Sequence, residues 1–287
     1  MPTFVTGSGR RLSYDLVGEG TPVVLLPAGP GLDPRSYYQN TRLVSFQLVV
    51  FYPRGTGLSD PPVDPEGYRI SGYVEDVEEL RAHLGLERLM LYGSSHGAST
   101  ALAYAVRFPE RVRRLVLANG PARMDADLAA GILEAHQHFA ARIPDGAERL
   151  RIAEQGRTAL RTAITDRQRH AALRAMMDTY IAQLDEPRRR FLDRLCAAPT
   201  NFTAPAVMAA EMVNGLDLLL GADRITAPAL VVGGEFDVRV PGAHLQQIAG
   251  AIRGAHYVEL AGAGHLVHRE SAEWESLVAG FLAGPAG

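Results

Sequence analysis

The chain has 287 residues, enough for one large domain or for a core with an insertion, and 47% of them are hydrophobic and 21% charged, as in an ordinary globular enzyme. A formal net charge of −3 gives no electrostatic reason to expect a nucleic acid or an anionic membrane as a partner. The single cysteine, Cys196, excludes an intramolecular disulfide. Arg10 and Arg11 are not followed by the hydrophobic stretch of a secretory signal, and no run is long enough to span a bilayer. We therefore expect a cytoplasmic protein.

The first part of the chain alternates short apolar runs with amphipathic stretches. A hairpin is predicted first, with strands at 4–5 and 12–16 joined through Gly7-Ser8-Gly9. Further strands and helices are then predicted from apolar runs and from helical spacing, with strands at 23–26, 47–52, 88–92 and 115–118 and helices at 71–84 and 98–108. Continuous apolar strands that alternate with helices are typical of a parallel sheet covered on both faces. The fold class predicted is α/β, with a mostly parallel, doubly wound sheet.

The pattern changes after residue 121. Between 122 and 221 the sequence shows helical periodicity rich in alanine, arginine and leucine, with breaks at prolines and no convincing strand. The alternation then resumes with two strands and a last helix, at 229–234, 257–260 and 272–282. We predict a core in two parts, residues 1–121 and 222–287, with a helical cap at 122–221 inserted between them.

The stretch Gly93-Ser94-Ser95-His96-Gly97 lies between a predicted strand and a predicted helix. A Gly-x-Ser-x-Gly pattern at such a place is typical of a sharp turn that presents the hydroxyl of its central serine. In so tight a turn, side chains two positions before and after the serine would collide with their neighbours, and glycine has none. Ser95 is therefore the predicted nucleophile.

Asp237 and His265 also follow predicted strands directly. Because the carboxyl ends of parallel strands share one edge of the sheet, we expect both side chains to lie near Ser95. A serine hydroxyl needs a base to take its proton, histidine can be that base near neutral pH, and a carboxylate would hold the imidazole in the useful tautomer. Asp125 is an alternative acid, and capping the helix that begins near Ala243 is an alternative role for Asp237.

The charge that develops on an attacked carbonyl oxygen needs preorganised donors. We predict that these are the backbone N–H groups of His96 and of Gly29, which lies in the glycine- and proline-rich loop after the strand at 23–26. The His96 side chain either projects into the pocket or packs against the cap. Arg54 is expected to brace a loop beside the pocket through hydrogen bonds to backbone carbonyls.

Two histidine pairs, His136 with His138 and His265 with His268, have spacings that could suggest a metal. Neither has acids or cysteines near it at ligand spacing, so no metal and no other cofactor is predicted. Cys196 is expected to be a small packed side chain, because no basic catalytic group is recognisable around it.

Four segments at predicted strand ends together resemble the α/β-hydrolase fold serine hydrolases: 54–59, 93–97, 234–237 and 264–270. The chain order serine, aspartate, histidine is also the order of that superfamily. Gly29-Pro30-Gly31 resembles the Gly-Pro-Gly of its proline iminopeptidase-like branch. This resemblance implies a helical cap, hydrolase chemistry, and Pro30 and Glu211 as candidates for substrate contact. Glu211 would hold a substrate amine or, alternatively, lie on a solvated helix face.

The sequence thus predicts a serine hydrolase that cleaves small carboxylic esters or amides through an acyl-enzyme. An aminopeptidase that removes an N-terminal residue is the first alternative, and it would need acids to hold the free amine. Carbon–carbon cleavage, cyclisation and ligand binding without catalysis are further alternatives, because a fold does not determine a function. The partner expected is a small molecule or short peptide as substrate; the sequence leaves open whether the chain is a monomer or a homodimer.

Overall fold

The computed structural model describes residues 1–38, 43 and 45–284, and these form one eight-stranded sheet with helices on both faces. The strands are β1 (Thr3–Val5), β2 (Arg11–Val17), β3 (Thr21–Leu26), β4 (Phe46–Tyr52), β5 (Leu89–Ser94), β6 (Val112–Ala118), β7 (Ala229–Gly234) and β8 (His256–Leu260). Their order across the sheet is β1-β2-β4-β3-β5-β6-β7-β8. β2 pairs antiparallel with β1 and β4, and the pairs from β4 to β8 are parallel. The predicted α/β, mostly parallel fold is confirmed.

The α-helices of the described residues surround this sheet or lie in the segment between β6 and β7. They are α1 (Pro34–Tyr38), α2 (Ile70–His83), α3 (His96–Arg107), α4 (Ala126–Arg142), α5 (Gly146–Thr162), α6 (Asp166–Met177), α7 (Glu186–Ala197), α8 (Thr203–Val213), α9 (Gly242–Ala251), α10 (Val267–Glu270) and α11 (Trp274–Ala283). Short 3₁₀ turns occupy Pro65–Tyr68, Pro109–Arg111, Asp178–Tyr180 and Ala222–Arg224.

The central strands are apolar on both sides because helices cover both faces of the sheet. In β5, the side chains of Leu89 and Leu91 belong to the apolar cluster that contains residues of α2, α3 and α9. Met90 and Tyr92, which alternate with them, belong to the cluster on the other face with residues of α11. A strand buried on both faces reads as a continuous apolar run, which explains why these strands were recognisable from the sequence.

The segment between β6 and β7 is helical. These two strands are hydrogen-bonded neighbours, yet helices α4 to α8 lie between them in the chain, within the region predicted as a cap. The structure describes every residue of this segment, and its β-pairing there is one isolated bridge between Arg123 and Asp217. The backbone N–H of Leu218 donates to the Ala122 carbonyl at 2.9 Å beside this bridge. The segment therefore leaves and rejoins the core at one place.

The direction in which the chain crosses the sheet reverses next to β5. The connection from β3 leads outward to β4, and the next one returns across β3 to β5 on its other side. From β5 onward, each parallel strand is added on the far side of the previous one. Ligands of open α/β sheets bind beyond the carboxyl ends of the strands at such a reversal. Ser95, which follows β5 directly, lies at this position.

Candidate active site

Ser95 occupies a strained turn between β5 and α3. Its backbone has φ 51° and ψ −117°, a conformation that L-residues with a side chain rarely adopt. Such a residue costs on the order of 1–3 kcal/mol and persists only where its surroundings determine it. Here the Ser95 N–H donates to the Ala118 carbonyl at 2.8 Å, and the Ser95 carbonyl accepts the N–H of Ala98 at 2.9 Å. The turn is thus held by the neighbouring strand and by the first turn of the helix.

Glycines surround this turn because the backbone segments approach one another closely. A Cβ atom on Gly93 would lie 2.2 Å from the Gly97 carbonyl oxygen, and one on Gly97 would lie 2.2 Å from the Leu26 carbonyl oxygen. Gly120, which the sequence reasoning did not single out, has the same role, since its Cβ would lie 2.8 Å from the Ser95 carbonyl oxygen. Any side chain at these positions would move the serine.

Asp237 and His265 form a buried pair beyond β7 and β8. His265 Nδ1 lies 2.8 Å from Asp237 Oδ2, and both residues are 2% exposed. The second carboxylate oxygen, Oδ1, accepts the backbone N–H groups of Arg239 at 2.7 Å and Val240 at 3.0 Å. Because the carboxylate binds Nδ1, the imidazole is held with a proton on that nitrogen, and Nε2 remains able to accept one.

Asp125, the alternative acid, has other partners in the structure, and Asp237 does not have its alternative role as a helix cap. Asp125 caps α4, with Oδ1 accepting the N–H of Leu128 at 2.8 Å, and it pairs with Arg123 at 2.5 Å. The N-cap position of α9 is Pro241, so Asp237 does not cap that helix. The structure brings Asp237, rather than Asp125, into contact with His265.

Asn119 binds the aspartate, and this contact was not predicted from the sequence. Its side-chain amide donates to Asp237 Oδ2 at 2.7 Å, the same oxygen that binds His265. It follows β6 with φ 52° and is fully buried, and asparagine tolerates this left-handed conformation better than most residues. Its place directly after a buried strand, at the same edge as Ser95, was visible in the sequence, but its partner was not.

The loop after β3 lies against the serine turn. The Cβ position of Gly97 is within 2.7 Å of the Pro27 carbonyl oxygen, and Gly29 in the same loop has φ 69°. At the end of the loop, the Gly31 carbonyl accepts the N–H of Asn201, from the stretch between α7 and α8, at 2.9 Å. The loop that carries Gly29 and Pro30 is therefore packed between the serine turn and the inserted helical segment.

The side chain of His96 lies in neither of the two places expected for it. Its ring packs edge to face against Tyr73 of α2, with ring centroids 4.6 Å apart, in a narrow cavity also lined by Pro27 and Pro53. The reason is that α2 packs against α3, so the first residue of α3 faces a core helix rather than the inserted segment. Burial lowers the pKa of His96 to about 3, which keeps the imidazole neutral.

Arg54 is buried, and its main partner is a carboxylate rather than carbonyls. Its Nε and Nη2 donate to the two oxygens of Asp76 of α2, both at 2.7 Å, and its Nη1 donates to the Gly67 carbonyl at 2.7 Å. The expectation of carbonyl partners was thus right for one bond and missed the bidentate ion pair. A planar guanidinium fits a carboxylate with two parallel bonds, and this pair ties the loop after β4 to α2.

Glu211 binds the N-terminus of α2. Its Oε2 accepts the N–H of Ile70 at 2.8 Å, at the first residue of α2. The side chain lines an open cleft of about 510 Å³ together with Glu66 and Arg69. An acid that binds the free N–H groups at a helix N-terminus satisfies donors that the helix cannot pair itself. The contact shown for Glu211 is therefore a bond between α8 and α2.

The other residues weighed from the sequence have packing contacts. The His138 ring stacks on Phe236 with centroids 5.0 Å apart, and His268 contacts Tyr38. Among the described residues, no group of three or more histidine, cysteine, aspartate or glutamate side chains could hold a metal ion. Cys196 is buried, and burial raises the pKa of its thiol to about 12.

Helices long and apolar enough to cross a bilayer do not occur in the part of the chain that the structure describes.

Comparison with known proteins identifies the family. A model of the alpha/beta hydrolase fold matches residues 21–272. The proline iminopeptidase of Heyndrickxia coagulans is 32% identical over 120 residues, which are 40% of this chain and 42% of that protein. The chain thus spans about two fifths of the length of the curated relatives it matches.

Solved structures resemble the chain over almost its whole length. A hydrolase from Pseudomonas aeruginosa PA01 is 26% identical, with a TM-score of 0.72 over 99% of this chain and 98% of that one. An esterase from Exiguobacterium antarcticum superposes with the same TM-score of 0.72 at 20% identity, over 98% of this chain and 99% of that one, which shows the shared fold. The resemblance inferred from the sequence motifs is confirmed, and the chain belongs to the alpha/beta hydrolase fold family.

Proposed function

We propose that the protein is a serine hydrolase that cleaves small carboxylic esters or amides through an acyl-enzyme, with Ser95 as nucleophile, His265 as base and Asp237 as orienting acid. The observation that carries the proposal is the buried 2.8 Å contact between His265 Nδ1 and Asp237 Oδ2, on the sheet edge where Ser95 follows β5 in a strained turn. We place this activity in the cytoplasm, acting on a small molecule or short peptide without a cofactor.

The geometry supports the following sequence of steps. The Ser95 hydroxyl attacks the substrate carbonyl carbon while Nε2 of His265 takes the hydroxyl proton. The imidazolium formed is stabilised by the Asp237 carboxylate, and it returns the proton to the leaving alcohol or amine. Water then repeats the attack on the acyl-enzyme, again with Nε2 as the base, and Ser95 is regenerated.

The negative charge on the carbonyl oxygen would be stabilised by the backbone N–H groups of His96 and Gly29. The close packing of the Gly29 loop against the serine turn supports this assignment. One such donor contributes roughly 3–4 kcal/mol to the stability of the transition state. Pro30, which lies between the loop glycines, would contact the substrate beside this oxygen.

The helical segment 122–221 would act as the cap that selects the substrate. Two of its contacts with the core support this role. Asn201 binds the Gly31 carbonyl, and the Tyr180 ring lies 4.9 Å from the His265 ring, centroid to centroid. The segment thus contacts both the proposed oxyanion loop and the proposed base.

An aminopeptidase that releases an N-terminal residue is the second candidate, because the curated relatives are named proline iminopeptidases. Such an enzyme must hold a free amine, most simply with a carboxylate. Glu211, the acid expected for this task, gives one carboxylate oxygen to the N–H of Ile70. We therefore rank ester and amide hydrolysis first.

Labelling with a fluorophosphonate tests the nucleophile. The wild-type protein should take one label, and Ser95→Ala should take none while melting as cooperatively as the wild type. Equal labelling of both proteins would overturn the assignment of Ser95.

The choice of substrate is tested by comparing a short p-nitrophenyl ester with a proline arylamide. We expect faster turnover of the ester, and both activities should be lost in Ser95→Ala. Efficient arylamide cleavage with poor ester cleavage would put the aminopeptidase first.

A further inference from the structure

Residues 178–183, here called the strap, belong to the connection between α6 and α7 and contact the loop that carries His265. The Tyr180 carbonyl accepts the N–H of Leu266 at 3.1 Å. A Cβ atom on Gly264 would lie 2.9 Å from that carbonyl oxygen and 3.0 Å from the Ala182 nitrogen. The glycine that precedes the histidine thus lets the strap approach the loop more closely than a side chain would allow.

Glu270 joins the strap to this loop with both carboxylate oxygens. Oε1 accepts the strap N–H groups of Ala182 at 2.7 Å and Gln183 at 3.0 Å. Oε2 accepts the N–H of Gly264, the neighbour of His265, at 2.7 Å. Burial raises the pKa of the Glu270 carboxyl, while the three N–H donors and Arg188 favour its ionised form.

Arg149 holds the strap from the opposite side. It lies on α5, is 5% exposed, and donates from Nη1 to the Ala182 carbonyl at 3.0 Å. Its Nη2 donates to the carbonyls of Asp178 and Ile181. The strap therefore gives its N–H groups to a carboxylate next to the His265 loop and its carbonyls to a guanidinium of the inserted helices. Hydrogen bonds to charged groups are stronger than those between neutral ones.

Arg188 of α7 adds a further connection. It donates from Nη1 to the Gln183 carbonyl at 3.1 Å and from Nε to the Arg269 carbonyl at 3.3 Å. The charged groups that hold the strap thus come from α5, α7 and α10, on both sides of it. The backbone of the strap is fixed relative to the core as well as to the inserted helices.

The strap presents Tyr180 to His265. The two rings stand at 86° with centroids 4.9 Å apart, and the guanidinium carbon of Arg239 lies 5.8 Å from the Tyr180 ring centroid. Asp237 binds one nitrogen of the imidazole, which fixes its tautomer, but this single hydrogen bond leaves the ring some freedom to tilt. A ring packed at right angles against the imidazole removes this freedom.

We propose that Glu270 and Arg149 are positioning residues: by holding the strap, they keep Tyr180 against His265 and so maintain the ring orientation in which Nε2 would take the Ser95 proton. The inference rests on the proposed function. It assigns the strap a part in the proton transfer itself, besides any part in forming the pocket.

The test compares Glu270→Gln with Glu235→Gln above neutral pH. Glu235 also accepts a loop N–H, that of Gly262 at 2.8 Å, through Oε2, while its Oε1 lies 3.9 Å from His138 Nε2, so glutamine can keep the N–H bond. At Glu270 both oxygens accept, and an amide can satisfy only one side. We expect kcat for a short ester to fall on the order of 10- to 100-fold in Glu270→Gln with KM within about twofold, and both constants to be unchanged in Glu235→Gln.

Inactivation by diisopropyl fluorophosphate separates positioning from pocket shape, because this probe is small and still needs the base. Its rate constant should fall in Glu270→Gln as kcat does. A raised KM with unchanged kcat and unchanged inactivation would overturn the inference.

If Glu270→Gln does not fold, substitutions of Tyr180 test the inference instead. The hydrogen bond of Tyr180 to Leu266 is made by its backbone carbonyl, so changing the side chain leaves it in place. Tyr180→Ala should lower the inactivation rate and kcat, and Tyr180→Phe, which keeps the ring, should restore both. Equal rates in these two variants and the wild type would overturn the inference alone. A wild-type protein that takes no label would overturn the proposed function first.

Discussion

The sheet and the inserted helices bury their side chains very differently. All six residues of β5 are buried, whereas α4, all of which the structure describes, buries only Leu128 and Phe139 among its 17 residues. The surfaces of the inserted helices carry ion pairs one turn apart, such as Glu148 with Arg151 at 2.5 Å. Exposed pairs of this kind contribute little to stability. The proposed catalytic residues therefore follow well-buried strands, and substitutions on the exposed faces of the inserted helices should cost little stability.

The largest expected effect tests whether the sheet edge holds the chemistry. Asp237→Asn should lower kcat by about 10⁴-fold, because an amide favours the wrong imidazole tautomer. Asn119→Ala removes one donor to the same carboxylate and should cost much less. Steady-state kinetics with a short ester measure both. An Asp237→Asn enzyme with wild-type kcat would show that Asp237 is not the acid that orients the base.

The second effect compares packing in the two regions. Leu91 of β5 is fully buried, and Leu91→Ala should lower the free energy of unfolding by about 3 kcal/mol. Leu133 of α4 is 60% exposed, and Leu133→Ala should change it by less than about 0.5 kcal/mol. Urea unfolding curves give both values. Similar losses in the two variants would contradict the difference in burial described above.

A third effect concerns pH and is specific to the core. Burial lowers the pKa of His96 from 6.5 to about 3, so between these values the unfolded chain binds a proton that the folded chain does not. This contribution to the free energy of unfolding is present above pH 6.5 and is lost as the pH falls towards the folded pKa of about 3. Lowering the pH from 7 to 5 should therefore reduce the free energy of unfolding of the wild type by about 2 kcal/mol.

Urea unfolding of the wild type and His96→Phe at both pH values measures this contribution. The variant should lose about 2 kcal/mol less than the wild type between the two conditions. An equal loss in both proteins would show that His96 takes up a proton in the folded state.

The smallest effect compares backbone strain. Ser95→Gly should be about 1–2 kcal/mol more stable than Ser95→Ala, because only glycine adopts φ 51° and ψ −117° without strain. Asp145, in the inserted segment, has φ 56° and ψ 10°, an ordinary left-handed conformation that aspartate tolerates. Asp145→Gly should therefore gain less than about 0.5 kcal/mol. Melting curves of the wild type, Ser95→Gly, Ser95→Ala and Asp145→Gly measure these differences. A gain in Asp145→Gly as large as the difference between the two Ser95 variants would show that the backbone is strained in both regions.

How much of this molecule was predictable depends on how far apart in the chain the interacting residues lie. The strands that precede Ser95 and Asp237 are continuous apolar runs, the one that precedes His265 is a shorter run that includes Glu259, and the polar residues after all three are visible in the sequence. The glycines at 93 and 97 also have a local explanation. These features could be predicted because each is encoded within a few residues.

The supporting contacts could not be predicted in this way. Asn119 meets Asp237 across 118 residues, and Ala182 meets Glu270 across 88. Neither pairing leaves a local pattern, because each depends on how the inserted segment and the later strands return to the same edge. Arg54 was recognised as a bracing residue, but its partner on α2 was not, for the same reason.

The bridge between Arg123 and Asp217, with the bond from Leu218 to Ala122, has a consequence for how this fold diversifies. The two ends of a 93-residue stretch, from residue 124 to residue 216, meet there like the stem of a closed loop. Its length can change without separating β6 from β7, since the closure entropy of a loop grows only slowly with its length. Recombination at this stem would exchange one whole helical segment for another while the sheet edge kept its geometry.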